Sequence, residues 1–460
     1  MSELIISVSG LRGVVGETLT LDVAMRYVAA FSATMPPGAF VVTRDSRPTG
    51  VMLTDAIHAV LNASGRPTID AAIAATPTTG VLIRQLGAAG GIQVSASHNP
   101  IEFNGIKLFS GEGRVIPQKY GADILEYYRT GQTTWVSHDQ IGTRTLCKNT
   151  ISEHRRVIMQ TVDIEAIANR KFKVLLDANH GAGAILGDWL LEELGCEVTI
   201  LGEQPNGQFL HTPEPTSENL TDVCRRVKEL EVDIAFCQDP DADRVAIIDA
   251  DGRYVGEEYT ITLCLEHLLR TSENSNHPHC RKKGAVVINC ATSRMNEDVA
   301  QKYGVPVFRS AVGEANVVDL MLEKEAMFGG EGNGGPIDPE VGFVRDSFVG
   351  MVLVLDAMAS TGKTVAQLVD ELPRYALVKR KTNVELSQIP AILDKTFTAF
   401  RHLPCSRLDG LRIDHGNAWV LLRGSNTEPI IRIFAEAPTE LHANQLCNEI
   451  EQIVFNAKHT

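Results

Sequence analysis

Apolar residues in this chain come in short β-rich runs, each followed by a polar loop and then by a stretch with helical spacing. Residues 39–43 (AFVVT) lead into RDSRPTG and a helical pattern from Val51 to about Ser64. Residues 173–177 (KVLLD) lead into ANHGAG and GDWLLEELG, and residues 285–290 (AVVINC) lead into ATSR and MNEDVAQKYG. Strand, polar loop, helix and next strand is the signature of an α/β unit. Its recurrence predicts three similar α/β units, with mixed sheets and flanking helices. From about Arg374 the pattern changes. NVELSQIPAILDKTFTAF mixes a strand with a helix, LRIDHGNAWVLLRGSNTEPIIRIFAEA reads as successive short strands, and a last helix runs from about Glu440 to Phe455. That tail predicts a small C-terminal α+β domain. The expected domains are residues 1–152, 153–256, 257–372 and 373–460.

Composition narrows the function. A chain of 460 residues, 44% hydrophobic and 22% charged, can bury ordinary globular cores and is not a disordered scaffold. A net charge of −14 excludes a general nucleic-acid binder. Small anionic substrates remain open, because local arginines can outweigh the global field. The nine cysteines are scattered singly with no CxxC pair, so neither a zinc site nor a disulfide framework is expected. Cys237, closing an apolar run, reads as core. The start, MSELIISVSG, has no basic segment and no long apolar segment, and no apolar run reaches the roughly 18 residues of a membrane helix. The expectation is a reduced, cytoplasmic protein without a membrane or nucleic-acid partner, as a monomer or homodimer.

Each unit also carries an unusual loop. DPDADR (239–244) lies between the apolar runs VDIAFCQ and VAIID, so it bridges two strands. Asp239, Asp241 and Asp243 alternate, which in an extended loop points them the same way. Three such carboxylates repel one another unless a cation joins them, and hard oxygen ligands favour Mg²⁺ or Ca²⁺. An EF-hand is ruled out, since Arg244 and Ala250 stand where that loop needs Gly and Glu. A phosphatase loop of the DxDx[TV] kind, with an aspartate nucleophile, is the other reading, and Arg244 fits it poorly. In RGSNTEPIIRI (423–433), Arg423, Ser425, Asn426 and Thr427 crowd one turn, with Arg432 beyond. They suit a phosphate cradle or an ordinary polar turn. In GGEGNGG (329–335), Glu331 and Asn333 stand among glycines that let the backbone approach a sugar, or that simply make a turn. SGLRGVVG places Arg12 between glycines near the N-terminus. Finally, VSASHNP (94–100) sets Ser95, Ser97 and His98 ahead of FNGIKLF, which carries Lys107. No GxSxG elbow is present, and a serine is weakly nucleophilic without a base. Beside a three-carboxylate loop, Ser97 reads better as a carrier of phosphate than as a hydrolytic nucleophile.

Taken in order, SASHNP, DPDADR, GEGNGG and RGSNTEP resemble the serine, metal, sugar and phosphate loops of the α-D-phosphohexomutase family over the whole chain. The resemblance implies a four-domain fold and a two-step phosphoryl transfer. Phospho-Ser97 would give its group to a hexose monophosphate, and a hexose (or hexosamine) 1,6-bisphosphate would serve as intermediate and primer. Mg²⁺ would be held by phospho-Ser97, Asp239, Asp241 and Asp243. Lys107 is implied as a general acid/base, provided a cationic setting lowers its pKa. Arg12 would steady the phosphoryl group and His98 would position. Glu331, Asn333 and the position of Gly335 would face the sugar; Arg423, Ser425, Asn426 and Thr427 would hold the other phosphate. Arg244, with Arg44, Asp45 and Arg47 of RDSR, would support the site. Three positions depart from the common pattern: Gly335 where many members have histidine, Asn333 for serine, and Glu314, in VGEAN, for aspartate. SASHNP followed by FNGIKLF is most similar to the phosphoglucosamine mutases, which implies glucosamine phosphates as substrate. Phosphoglucomutase or phosphomannomutase activity is the alternative, and a metal-dependent sugar phosphatase is a further one.

Overall fold

The computed structural model describes residues 4–7, 10–274, 277–425 and 429–458. The repeated runs form strands as their β-branched content predicts. AFVVT gives Phe40–Arg44, KVLLD gives Lys173–Asp177 and AVVINC gives Val286–Asn289. The helices after them are Thr49–Ala63, Gly183–Glu193 and Met295–Lys302.

Four sheets result. The first has seven strands in the order Ile5–Ser7, Gly10–Val14, Phe103–Ser110, Gly90–Val94, Phe40–Arg44, Thr68–Ile73, Arg144–Leu146. The second has four, in the order Val245–Asp249, Ile234–Gln238, Lys173–Asp177, Glu197–Leu201. The third has four, in the order Val307–Ser310, Val286–Asn289, Phe328–Glu331, Gly335–Ile337. Each is parallel at its centre with at least one antiparallel strand at an edge. The fourth sheet, of five strands, is antiparallel throughout. Helices Ile389–Phe400 and Glu440–Lys458 cover it, completing the expected α+β tail. Among the described residues no helix is long and apolar enough to cross a membrane.

The parallel strands matter for the site, because ligands in such sheets gather at strand carboxyl ends. SASHNP follows Gly90–Val94, DPDADR follows Ile234–Gln238, and GEGNGG begins at the end of Phe328–Glu331. What holds the second and third units in register is the helix Ser347–Thr361. Its sequence, SFVGMVLVLDAMAST, has no polar face, and residues Ser347 to Met358 are all buried. A helix apolar all round must be enclosed; this one packs between Glu257–Thr271 and Ile164–Ala168, in one core shared by both units. Its buried Asp356 accepts from His267 Nε2 at 2.9 Å through Oδ2, which satisfies one of its two oxygens. At its start, Asp346 caps the backbone N–H groups of Phe348 and Val349 at 2.9 and 3.3 Å. That cap fixes where the preceding residue, Arg345, leaves the chain.

Candidate active site

Ser97 is held in an uncommon conformation. Its φ is +50°, in the left-handed region that favours glycine, which costs a serine about 1 kcal/mol. The loop compensates with buried polar contacts. Ser95 Oγ donates to Asp45 Oδ2 (2.7 Å) and accepts from the Ser97 N–H (2.8 Å). Arg47, fully buried, pairs with Asp45 at 3.1 Å and donates to four carbonyls of the loop: Ser97 (2.7 Å), Asn99 (2.6 Å), Pro100 (2.6 Å) and Phe103 (3.1 Å). The result aims Ser97 Oγ at the second unit, where it donates to Asp239 Oδ2 at 2.7 Å. Arg244 Nη2 and His98 Nδ1 each lie 3.3 Å from Ser97 Oγ. Burial, and then Arg244 and Arg12, keep the His98 imidazole neutral, well below its ordinary pKa. Arg12 donates to Asn99 Oδ1 at 2.5 Å, on the other side of the loop.

The aspartate loop turns between antiparallel strands with Ala242 also left-handed, at φ +53°. Each unit contributes to holding it. Thr76 N donates to Asp241 O (2.9 Å), Ala182 N to Pro240 O (2.8 Å), and Ser347 Oγ to Ala242 O (2.6 Å). One oxygen each of Asp239, Asp241 and Asp243 falls within 4.8 Å of the others, all three residues being buried. Arg244 pairs with Asp239 at 3.0 Å; Lys107 bridges Asp241 (2.5 Å) and Asp243 (2.9 Å); Arg345 pairs with Asp243 at 2.7 Å. Thr76 Oγ1 donates to Asp241 at 2.6 Å. Among the described residues two buried oxygens, Asp241 Oδ1 and Asp243 Oδ1, have no hydrogen-bond partner, the nearest cation to the second being Arg244 Nε at 3.7 Å. An all-oxygen donor set with two orphaned carboxylate oxygens fits a hard divalent cation.

The electrostatics bear on one expectation. Burial works against the Lys107 ammonium, but Asp241 and Asp243 outweigh it and push its pKa above the ordinary lysine value. The condition on which Lys107 was to act as a general acid/base, a lowered pKa, is reversed, because carboxylates from the second unit surround it. Burial also resists ionisation of Asp243, yet Arg345 and Lys107 hold its carboxyl below the usual range. Asp239 goes the other way, raised by burial and then by the charge of Asp243.

Arg12, Ser97, His98, Lys107, Arg244, Asn333 and Arg345 line one cavity of about 290 Å³. Its four cationic side chains suit a phosphoryl group. Glu331 is not in the lining. Its Oε1 accepts from Asn289 Nδ2 (2.8 Å) and Gly313 N (3.0 Å), and its Oε2 from Arg345 (3.0 Å). Gly335 is buried in its strand. Arg423 lies next to the end of the strand Trp419–Gly424 and pairs with Asp409 at 2.7 Å; Ser425, just beyond the strand, is buried. Neither lines the cavity. Asn426 and Thr427 lie outside the described residues.

Comparison with known proteins agrees with this geometry. Phosphoglucomutase/phosphomannomutase α/β/α domains I, II and III match residues 4–135, 152–252 and 257–375, and the C-terminal domain matches 375–453. A phosphoglucomutase/phosphomannomutase of Thermococcus kodakarensis is 34% identical over 95% of both chains. The chain belongs to that family. A phosphoglucosamine/phosphogalactosamine mutase of Sulfurisphaera tokodaii is 31% identical, over 97% of this chain and 98% of its own. A solved phosphoglucomutase/phosphomannomutase family structure from Burkholderia thailandensis shares the fold, at a TM-score of 0.81 and 24% identity, over 99% and 98% of the two chains. The chain is thus a phosphohexomutase, an isomerase of the phosphotransferase type.

Sequence reading passed over two residues of this phosphohexomutase site, Thr76 and Arg345. Neither has a local signal. Thr76 opens the helix Thr76–Gln85, as threonine before proline often does, and Arg345 precedes a helix cap. Only the packing of the three units brings them to Asp241 and Asp243.

Proposed function

We propose that the chain interconverts glucosamine 6-phosphate and glucosamine 1-phosphate through a phosphoserine at Ser97 and a bound hexosamine 1,6-bisphosphate. The observation that carries the phosphoserine chemistry is Ser97 Oγ, 2.7 Å from Asp239 and at the wall of a cavity lined by four cationic side chains. In the first step the bond from phosphorus to Ser97 Oγ breaks and a bond to the free sugar hydroxyl forms. The proton lost by the sugar hydroxyl is the one Ser97 Oγ takes up as its bond to phosphorus breaks, so the step balances, and the serine hydroxyl then donates to Asp239. After the bisphosphate turns over, the reverse transfer takes the other phosphate. Arg12, Arg244 and Lys107 hold the group in flight and exclude water from it, and Arg423 and Ser425 of the fourth domain suit the phosphate that stays behind. Mg²⁺, held by Asp239, Asp241, Asp243 and the seryl phosphate, would supply further neutralisation of that charge.

The glucosamine substrate is favoured by the similarity to the Sulfurisphaera relative. The Thermococcus relative supports a second reading, glucose and mannose phosphates. Side-by-side kcat/KM values for the glucosamine, glucose and mannose 1-phosphates, with the matching bisphosphate as primer, decide between them. Preference for glucose or mannose overturns the glucosamine reading. Steady release of inorganic phosphate without isomerisation overturns the mutase chemistry.

Removing one carboxylate tests the metal. Asp241→Asn is expected to weaken Mg²⁺ binding by about tenfold or more, as seen in calorimetry and in the Mg²⁺ needed for half-maximal turnover. Unchanged Mg²⁺ affinity would place the cation elsewhere.

A further inference from the structure

The aspartate loop belongs to the second unit, but residues that grip it stand at the starts of helices in the other two. On one side is Thr76, which opens the helix Thr76–Gln85 of the first unit. Its N–H donates to Asp241 O at 2.9 Å and its Oγ1 to Asp241 Oδ2 at 2.6 Å. On the other side is the start of the helix Ser347–Thr361 of the third unit. Ser347 Oγ donates to Ala242 O at 2.6 Å, and Arg345 Nη2 pairs with Asp243 at 2.7 Å. The spacing of these two helix starts therefore sets how Asp241 and Asp243 stand to one another.

A single side chain joins the two starts directly. His154 lies in the helix Ser152–Met159, which opens the second unit, and is fully buried. Its Nδ1 is 2.8 Å from Thr78 Oγ1, in the first turn of Thr76–Gln85. Its Nε2 is 2.7 Å from Asp346 Oδ2, and its ring meets Phe348 edge-on with centroids 5.7 Å apart. Asp346 Oδ1 is taken up by the N–H groups of Phe348 and Val349. A carboxylate accepts, so Nε2 is the donor in its bond to Asp346 and the Thr78 hydroxyl can donate to Nδ1. Thr78 and Asp346 are buried as well. Buried polar bonds of this kind hold their partners to one geometry, because breaking them leaves groups unpaired away from water. The constraint then runs to the loop over very short stretches of chain: Thr78 is two residues from Thr76, and Asp346 lies between Arg345 and Ser347.

We propose that His154 is a positioning residue for the phosphoryl transfer. It is a strut that holds the helix starts of the first and third units at the spacing that brings Asp241 and Asp243 to one divalent cation. It acts through Thr78 and Asp346 and does not line the cavity. This rests on the divalent-cation reading of the aspartate loop.

Mg²⁺ titration by calorimetry, steady-state kinetics, and hydrogen exchange of the metal-free protein test it. His154→Ala is expected to weaken Mg²⁺ binding by about 3- to 30-fold and to lower kcat, with KM for the hexose phosphate moving by less than about twofold. In the metal-free protein, exchange at residues 239–244 should rise. His154→Gln, whose amide can still donate to Asp346, should recover part of the affinity. Thr78→Val removes one hydroxyl at nearly constant shape and should give a smaller shift in the same direction. Added to His154→Ala it should change nothing further, since both cut the same strut. Ile158→Ala, one turn along the same helix and buried in the core, is the control. It should lower Tm at least as far as His154→Ala while leaving Mg²⁺ affinity unchanged. Unchanged Mg²⁺ affinity in His154→Ala, or in Thr78→Val where that variant does not fold, overturns the proposal. Equal weakening in Ile158→Ala overturns it too, because any loss of stability would then serve. Wild-type protein that binds no Mg²⁺ would instead sink the metal reading, and exchange at 239–244 would still show whether the strut holds the loop.

Discussion

Ser97→Ala is expected to carry no covalent phosphate and to turn over hexose phosphates on the order of 10⁴-fold more slowly, or not measurably. The loss is chemical, since alanine removes only the oxygen that donates to Asp239. Intact mass and a primed isomerisation assay on the same sample check both halves. Retained activity, or a phosphate that maps elsewhere, would remove Ser97 from the mechanism. A companion variant separates chemistry from strain. Because Ser97 sits at φ +50°, Ser97→Gly should be equally inactive but more stable than Ser97→Ala by about 1 kcal/mol. The left-handed backbone at Ser97 and Ala242, on the two loops that meet at the reacting oxygen, is where conformational energy has been spent on geometry.

Much of this was legible in the sequence because it is local. The strand runs 173–177 and 285–290 and the helix after the second are set by spacing and β-branched content, and the structure places them within a residue or two, whereas the helix read from Gly187 starts four residues earlier, at Gly183. Ser97, Asp239, Asp241 and Asp243 were legible because each sits in a short, chemically odd loop at a strand end. What was hidden is what depends on distant residues meeting. Arg345 reaches Asp243 across 102 positions of chain, and Thr76 reaches Asp241 across 165. No periodicity encodes those meetings. The direction of the Lys107 shift was hidden for the same reason. Its sign is set by carboxylates 134 and 136 residues away, which turn a supposed cationic setting into an anionic one. Gly335 was read as a missing group because sequence shows an absent side chain but not the stem of Arg345 that lies over it.

Arg47 was expected to support the site, and the structure shows how it does so. Its guanidinium is buried, pairs with buried Asp45, and is the shared donor for the carbonyls of Ser97, Asn99, Pro100 and Phe103. The ring of Phe209, from the second unit, lies 5.1 Å from it. Arg47→Ala leaves the Asp45 charge buried without its partner and four carbonyls without a donor. Breaking a buried pair from one side costs about 3–5 kcal/mol, which for a unit of this size corresponds to a fall in Tm on the order of 10 °C. Arg47→Lys should rescue little, since one ammonium cannot replace a fork with five donors. The serine loop should loosen before the domain melts, so hydrogen exchange at residues 95–103 is expected to rise even below the transition, with kcat falling alongside. If Arg47→Ala melts and turns over like the wild type, the loop is held by Ser95 and Asp45 alone. The carbonyls would then find water, and the left-handed conformation of Ser97 would need another cause.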